Sequence, residues 1–439
     1  DGFFKATWQI TDNDRLTGTF FNDPGDRTGS SDSAVINRRD TVRKQGGDNW
    51  KIDYSHTWDN LRVNAYYFDH KGELTTTAAD QTVRDNVTYR ASAGSTIEQR
   101  QLGGTGSNLE THRDKKEYGL NFEYYLDTSL GSHTFKGGYI KSTNTYSEDG
   151  SVPGNVTYAS LAPIYAGTTY QDYTASSGTN AWTARSLTQN DNLRLIAAIQ
   201  GNASARGAVD TNGDGTVSVA ELNAYRFTAT TGNPYSNVNV YRALRTVSGP
   251  YSVESEGQTL FFQDNWTWNR LTVGAGVRAE KWQHYASDGS KVATFDWEIA
   301  PRLNVVYDPT GAGRSKIFAF AGRYYDPVRN NMSDFAGALT GPVDEEQVYI
   351  GGQWVTFRTR GGATTPDALF SPNTKTPYTD EFQIGYATTI GSSIGVSATI
   401  NHRRTRNILE DFDLALYSDP TATAADGANG IAYPGSLFY

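Results

Sequence analysis

The sequence predicts an all-β chain, a transmembrane antiparallel β-barrel with long extracellular loops, and three observations predict it. Apolar and polar residues alternate strictly in paired stretches that recur along the 439 residues, and the polar face carries charge. Aromatic side chains gather where the paired stretches turn. Short connections inside each pair alternate with long polar connections between pairs. A period of two is the strand repeat, and a face bearing Arg and Glu is not a dry core. A soluble sandwich has no reason for the asymmetry of connections, whereas an outer-membrane barrel has short turns on the periplasmic side and long loops outside.

Composition agrees. Aromatics at 13%, with 44 Gly, 27 Tyr and a single Met, suit a sheet protein rather than a helical bundle. No apolar run approaches the ~18 residues a membrane-spanning helix needs, which excludes a helical membrane protein. The mean hydropathy of -0.58 does not argue against a barrel, where only every second residue faces lipid. Zero cysteines remove disulfide frameworks, thiol catalysis and zinc–cysteine sites together. A net charge of -9 disfavours a nucleic-acid partner and is compatible with cation binding. Asp1 leads directly into an alternating strand with no initiator Met or signal peptide, so a processed or truncated chain is expected.

In chain order, Phe3 and Ile10 bound the first strand, which returns from Leu16 to Asn22. Residues 23–49 lack periodicity and read as an exposed loop. Trp50, Ile52 and Tyr54 then oppose Lys51, Asp53 and Ser55, and Leu61, Val63, Ala65 and Tyr67 complete the second hairpin. After a polar segment at 72–114, Tyr118, Leu120, Phe122, Tyr124 and Leu126 alternate with Glu117, Gly119, Asn121 and Glu123, and the strand returns through Phe135 and Tyr139. The longest insertion, 147–257, precedes the fourth hairpin, in which Leu260, Phe262 and Trp266 share a face, Asn269-Arg270 turns, and Leu271, Val273, Ala275, Val277 and Ala279 oppose Thr272, Gly274, Gly276, Arg278 and Glu280. The fifth pairs 297–307 with 317–325, and the sixth pairs 378–388 with 394–401. Six hairpins give about twelve strands, but residues 411–439 are mostly loop and end in a short SLFY piece rather than a sealing strand. An unsealed edge in lipid leaves backbone groups without partners, so the domain expected over 1–439 is part of a larger barrel.

The fourth hairpin, FFQDNWTWNRLTVGAGVRAE, resembles the barrel of TonB-dependent outer-membrane receptors, as do APRLNVVYDPTGAGRSKIFAFAGRYYD and PYTDEFQIGY after it, in the same order. The opening KATWQITDNDRLTGTFFNDP resembles their Oar-like branch. The resemblance implies a barrel of about 22 strands with an N-terminal plug and a TonB box, neither of which is in this chain. It further implies an outer-membrane location, contact with outer-membrane lipid, coupling to the TonB energy-transducing complex through that plug, and import of a scarce ligand (a peptide, a siderophore or another small molecule) captured by the extracellular loops. A passive porin or a surface adhesion barrel is the alternative.

Within 147–257, the stretch DTNGDGTVSVAE at 210–221 fits the EF-hand pattern at every defined place. Asp210, Asn212 and Asp214 supply side-chain oxygens, Gly215 permits the bend, Thr216 offers its carbonyl, Ser218 sits at the ninth position and Glu221 can bind with both oxygens, a donor set for Ca2+. Helical spacing at 191–200, with a break at Gly201 or Gly207, and at 220–227 supplies flanking helices. The alternative is an Asp- and Gly-rich turn without metal. Tyr158, Tyr165, Tyr170, Tyr173 and Trp182 either contact a ligand or pack the loop; Asp344 to Glu346 beside Trp354, and the basic 402–406 stretch, are ligand contacts or barrel rim. No Ser, His and Asp arrangement stands out, so no enzyme is expected; a barrel hydrolase would need His402 and a nearby Ser.

Overall fold

The computed structural model describes residues 1–29, 41–79, 81, 84–90, 97–102, 108–160, 189–226, 240–363, 370–371 and 373–410. In chain order the strands are β1 (Gly2–Gln9), β2 (Asp14–Asn22), β3 (Gly25–Gly29), β4 (Thr41–Thr57), β5 (Leu61–Ala78), β6 (Arg84–Arg90), β7 (Ile97–Leu102), β8 (Asn108–Thr128), β9 (Gly131–Ser151), β10 (Val156–Ser160) and β11 (Val240–Val247). They continue as β12 (Tyr251–Trp268), β13 (Leu271–Tyr285), β14 (Lys291–Tyr307), β15 (Ser315–Tyr325), β16 (Val343–Ile350), β17 (Gln353–Arg360), β18 (Tyr378–Ile390) and β19 (Ile394–Arg406). Among the described residues the α-helices are α1 (Gln189–Gln200), α2 (Ala203–Val209), α3 (Val219–Arg226) and α4 (Asn330–Gly337).

One 13-stranded sheet forms a wall in the order β1-β2-β4-β5-β8-β9-β12-β13-β14-β15-β18-β19, with β3 beside β4. All six predicted hairpins are in it. In the fourth, Trp268 pairs with Leu271, so Asn269-Arg270 makes a two-residue turn, and Asn269 takes the positive φ of 52° that such turns require. The register also sets the faces. Leu260, Phe262 and Trp266 lie opposite Ala279, Val277 and Val273, and this outer face is openly apolar, with Leu260, Phe262 and Val277 all exposed. Thr259 and Glu280 pair on the inner face, where both are buried.

The long connections depart from expectation. β4 starts at Thr41, β5 runs to Ala78, β8 starts at Asn108, β9 reaches Ser151 and β12 starts at Tyr251, all inside segments expected to be loop. Beyond the apolar band both faces of a strand meet water, so the ladder continues without the alternation that announces a strand.

Three inter-hairpin connections also join in a second, six-stranded sheet, ordered β17-β16-β11-β10-β6-β7, here called the cap sheet. Its β16 and β17 were expected to be loop. Helices α1, α2 and α3 pack on one face of it: Leu195, Ile199, Val209 and Leu222 close against Val348, Ile350, Val355 and Phe357. Each such buried aliphatic side chain stabilises by roughly 1.5–3 kcal/mol. The cap therefore has its own hydrophobic core, apart from the wall.

Candidate functional site

The EF-hand stretch is a helix–loop–helix, with α2 entering and α3 leaving. The predicted break falls at Gly201, where α1 ends; Asn202 then caps α2 by accepting from Ser204 N and Ala205 N, each at 3.1 Å. Gly213 and Gly215 take positive φ of 72° and 84°, which L-residues adopt at a penalty. Asp210 accepts from Gly213 N at 2.7 Å and Gly215 N at 2.8 Å, while Asp214 accepts from Thr216 N at 2.8 Å and from the Asn212 amide at 3.0 Å. Ser218 and Glu221 form a reciprocal capping box at the start of α3: Ser218 N donates to Glu221 Oε2 at 2.9 Å and Glu221 N to Ser218 Oγ at 3.2 Å. Glu221 is buried, and its Oε1 also receives Thr211 N at 3.1 Å. Gln200 holds the far side, donating to the Gly215 carbonyl at 2.6 Å and accepting from Val217 N. Hydrogen bonds hold both Asp214, chiefly from Thr216, and Glu221, chiefly from Ser218, below the usual carboxylate range. All six predicted residues lie in this one loop, where the side-chain oxygens of Asp210, Asp214 and Glu221 are taken up by hydrogen bonds within it. Their carboxylates rest on backbone N–H groups, and among the described residues no three His, Cys, Asp or Glu side chains stand together as a metal cluster.

A second cluster lies where the cap sheet meets the wall. The register places Arg245, Asp344 and Arg360 in one cross-strand row and Ala243, Glu346 and Arg358 in the next, on the face that carries Val348 and Ile350 into the helical core. Arg245 grips Asp344 in a fork, Nε to Oδ1 at 3.0 Å and Nη2 to Oδ2 at 3.2 Å. Glu346, only 3% exposed, lies 3.8 Å from both Arg358 and Arg360. On the opposite face Arg242 stacks 4.0 Å above Trp354, which meets Tyr349 edge-on. So Asp344 and Glu346 are committed to arginines.

Helix α4 docks on the inner face of the wall by polar contacts. Ser255 donates to Asn330 Oδ1 at 2.6 Å, Asn330 donates to the Asn144 carbonyl at 2.9 Å, and the fully buried His284 Nδ1 meets Ser333 Oγ at 2.5 Å. His284 Nε2 and Asp334 Oδ1 are buried without a hydrogen-bond partner among the described residues. Burial pulls the His284 pKa down to about 4. Burial likewise pushes Asp334 up to about 6, against a hydrogen bond from Tyr251 that opposes the rise.

A family profile described as "TonB dependent receptor-like, beta-barrel" matches residues 80–412, three quarters of the chain. The chain belongs to the TonB-dependent receptor family. The TonB-dependent transporter Oar of Myxococcus xanthus is 35% identical over 77 residues, which are 17% of this chain and 7% of Oar. The outer membrane transporter YddB from Escherichia coli aligns with a TM-score of 0.55 at 14% identity, over 91% of this chain and 39% of YddB, a likeness of fold. This receptor chain thus spans well under half the length of either relative.

As a TonB-dependent receptor the chain is an outer-membrane protein, and the two ends of its wall are thereby oriented. The short turns are periplasmic, and beside them Trp8, Trp58 and Trp268 stand exposed on the wall as an interfacial belt. The cap sheet, the helix–loop–helix and α4 belong to the long connections at the other end of the wall. Arg278 and Glu280 form an ion pair on the lumen side, as their parity predicts. His402 lies opposite Phe382 on the lipid face rather than opposite a serine, and Arg403 pairs with Glu381 at 3.2 Å. Tyr165, Tyr170, Tyr173 and Trp182 lie outside the described residues, as does the side chain of Tyr158. Sequence reading missed the arginines of the cap and the docked α4. The hairpin β16–β17 did carry a signal: Gly351-Gly352 between Ile350 and Gln353, with φ of 61° and 80° as a type I′ turn demands.

Proposed function

We propose that this receptor captures a scarce ligand with its extracellular cap and releases it into the lumen for import driven by the TonB complex through a plug. The supporting observation is that three separate loops are joined into one sheet with its own core at the extracellular end of the wall, which is a pre-organised surface rather than a set of mobile loops. The cargo class implied by the Oar-like resemblance is peptide or protein; siderophore-type cargo is carried by the same wall in other members. Planar-bilayer conductance of the full-length protein tests import against the porin alternative. A plugged transporter gives no steady current, and a stable open-channel conductance would sink the reading.

We also propose that Asp210, Asn212, Asp214, Thr216, Ser218 and Glu221 hold Ca2+ in a structural role. Support comes from the twelve-residue pattern, the all-oxygen donor chemistry and the helix–loop–helix carrying two left-handed glycines. The ion would tie the α2–α3 loop in place, and α1 to α3 form the core that covers β16 and β17. The readout is calcium-dependent protease resistance of residues 189–226.

A further inference from the structure

On the lumen face of the wall, toward the short turns, an open groove of about 510 Å³ runs from β1 to β9, within the ~300–1,000 Å³ range of small-molecule sites. The register builds it. Gln9, Arg15, Ser55, Asn64 and Asn121 form one cross-strand row, and Arg62, Glu123 and Lys136 the next. Residues of the opposite parity, Phe4, Trp8, Ile52 and Leu120, are exposed on the lipid side. Four cations line the groove, Lys5, Arg15, Arg62 and Lys136, with two carboxylates, Asp53 and Glu123. Both carboxylates are taken: Lys136 holds Glu123 at 2.6 Å, and Lys51, beside the groove, holds Asp53 at 3.1 Å. Among the described residues no carboxylate lies within 4 Å of the nitrogens of Lys5, Arg15 or Arg62. Asp14 does not reach them, because it is turned to the lipid side, where Tyr54 Oη donates to it and His56 Nδ1 meets it at 2.6 Å. Every residue of the turns at 10–13, 58–60 and 129–130 is described, so no charge of this chain at that end is left out of the balance. The wall behind the groove is embedded in lipid, and a low-dielectric wall focuses the potential of unpaired cations on the space in front of them.

We propose that this groove binds a small molecule bearing at least two negative charges, with Arg15 and Arg62 each taking an anionic group and Lys5 adding charge from β1. The assignment rests on the reading of the receptor as an importer and names the charge of what passes along its lumen. Phosphate esters and polycarboxylates share that chemistry. A guanidinium meets either through two parallel N–H donors, and the hydroxyls of Thr7 and Thr17 supply neutral hydrogen-bonding groups between the cations.

The test titrates the detergent-purified full-length receptor, in calcium-free buffer, with inorganic pyrophosphate and with citrate, followed by isothermal calorimetry. Both anions should bind. Arg15→Gln and Arg62→Gln should each weaken them about tenfold, the scale expected of one charge-assisted hydrogen-bond pair, and Arg15→Lys, which keeps the charge but not the fork, should recover part of the loss. Arg270→Gln, at an exposed turn outside the groove, removes the same charge and should leave binding unchanged. Heat-dependent gel mobility checks that the wall is intact in each variant. Failure of both anions to bind, or an equal loss in Arg270→Gln and Arg15→Gln, would overturn the assignment. Tighter binding of pyrophosphate places phosphate chemistry in the groove, and tighter binding of citrate places carboxylate chemistry there; either result upholds the anion site. Binding is read at equilibrium without transport, so a failure of the import reading in planar bilayers leaves this outcome separately decided.

Discussion

Replacing Leu222 by Ala isolates the cap from the wall. Leu222 is fully buried, packed with Leu195, Ile199 and Val209 of the helices and Val348 and Ile350 of the sheet. A buried Leu→Ala change removes its transfer free energy and leaves a cavity, about 2–5 kcal/mol in total. At about 3 kcal/mol, and 1.4 kcal/mol per tenfold, the open population of the cap rises roughly 100-fold. Hydrogen exchange followed by mass spectrometry should therefore show residues 189–226 and 343–360 exchanging faster by about that factor. Exchange in β12 and β13 should not change, because those strands are held by their own ladder and by lipid. Insertion into the outer membrane should be normal. Acceleration of under tenfold in the cap, or equal acceleration in β12 and β13, would refute the claim that the cap is a separate cooperative unit.

Three further outcomes follow from the same geometry. Glu221→Gln keeps the capping box, since Gln serves there as well as Glu, but loses the charge and the two-oxygen clamp on calcium; at extracellular sites with affinities of ~10⁻⁴–10⁻³ M, millimolar calcium should slow proteolysis of the wild-type loop by only about two- to tenfold, and the variant should show no calcium effect. Ile384→Arg on the lipid face of β18 should destabilise the inserted wall by about 2–4 kcal/mol, whereas Gln383→Arg, one residue away on the lumen face, should have little effect; heat-dependent gel mobility distinguishes them, and equal effects would contradict the assigned faces. For α4 docking the proton linkages oppose: the raised pKa of Asp334 makes docking strongest below the ordinary carboxylate range and weaker as pH rises through about 6, while the lowered pKa of His284 makes it strongest above the ordinary histidine range and weaker as pH falls through about 4. Hydrogen exchange of 330–337 should thus vary little between pH 4 and 6 in the wild type and become acid-labile there in Asp334→Asn; a steep acid dependence in the wild type would refute the compensation.

The wall was legible because lipid on one side and lumen on the other impose opposite polarities on successive residues. Tyr118, Leu120 and Phe122 against Gly119, Asn121 and Glu123 can hardly be read otherwise. Where β4, β5, β8 and β9 pass beyond the bilayer that constraint ends, and Lys44, Gln45, Thr75 and Thr76 sit in a full ladder with no periodic signature. The helix–loop–helix could be found because its residues are local, fixed by spacing within one turn-rich segment. The arginine face could not. Arg245 and Asp344 are 99 residues apart, and only the register of β11 on β16 makes them neighbours. Helix α4 is too short to be stable alone, and its N-terminus lacks a side-chain cap, so nothing local marks it.

That short helix nevertheless stands at the joint between two bodies of different strength. The wall is a continuous ladder and the cap has a closed apolar core, so neither yields to a weak perturbation. The joint is polar: Asn330 on Ser255 and Asn144, Ser333 on His284, Asp334 on Tyr251. Each such hydrogen bond contributes about 0.5–1.5 kcal/mol net, so the set is worth a few kcal/mol. A ligand binding one arrangement of the cap in preference to another supplies free energy of that same order, enough to shift which arrangement dominates. An apolar seal of equal area would be harder to reopen, and it would lack the directional hydrogen bonds that fix one docked register. Because α4 and the β16–β17 hairpin lie on the same connection, between β15 and β18, a shift of the hairpin acts on α4 through continuous chain and not through solvent.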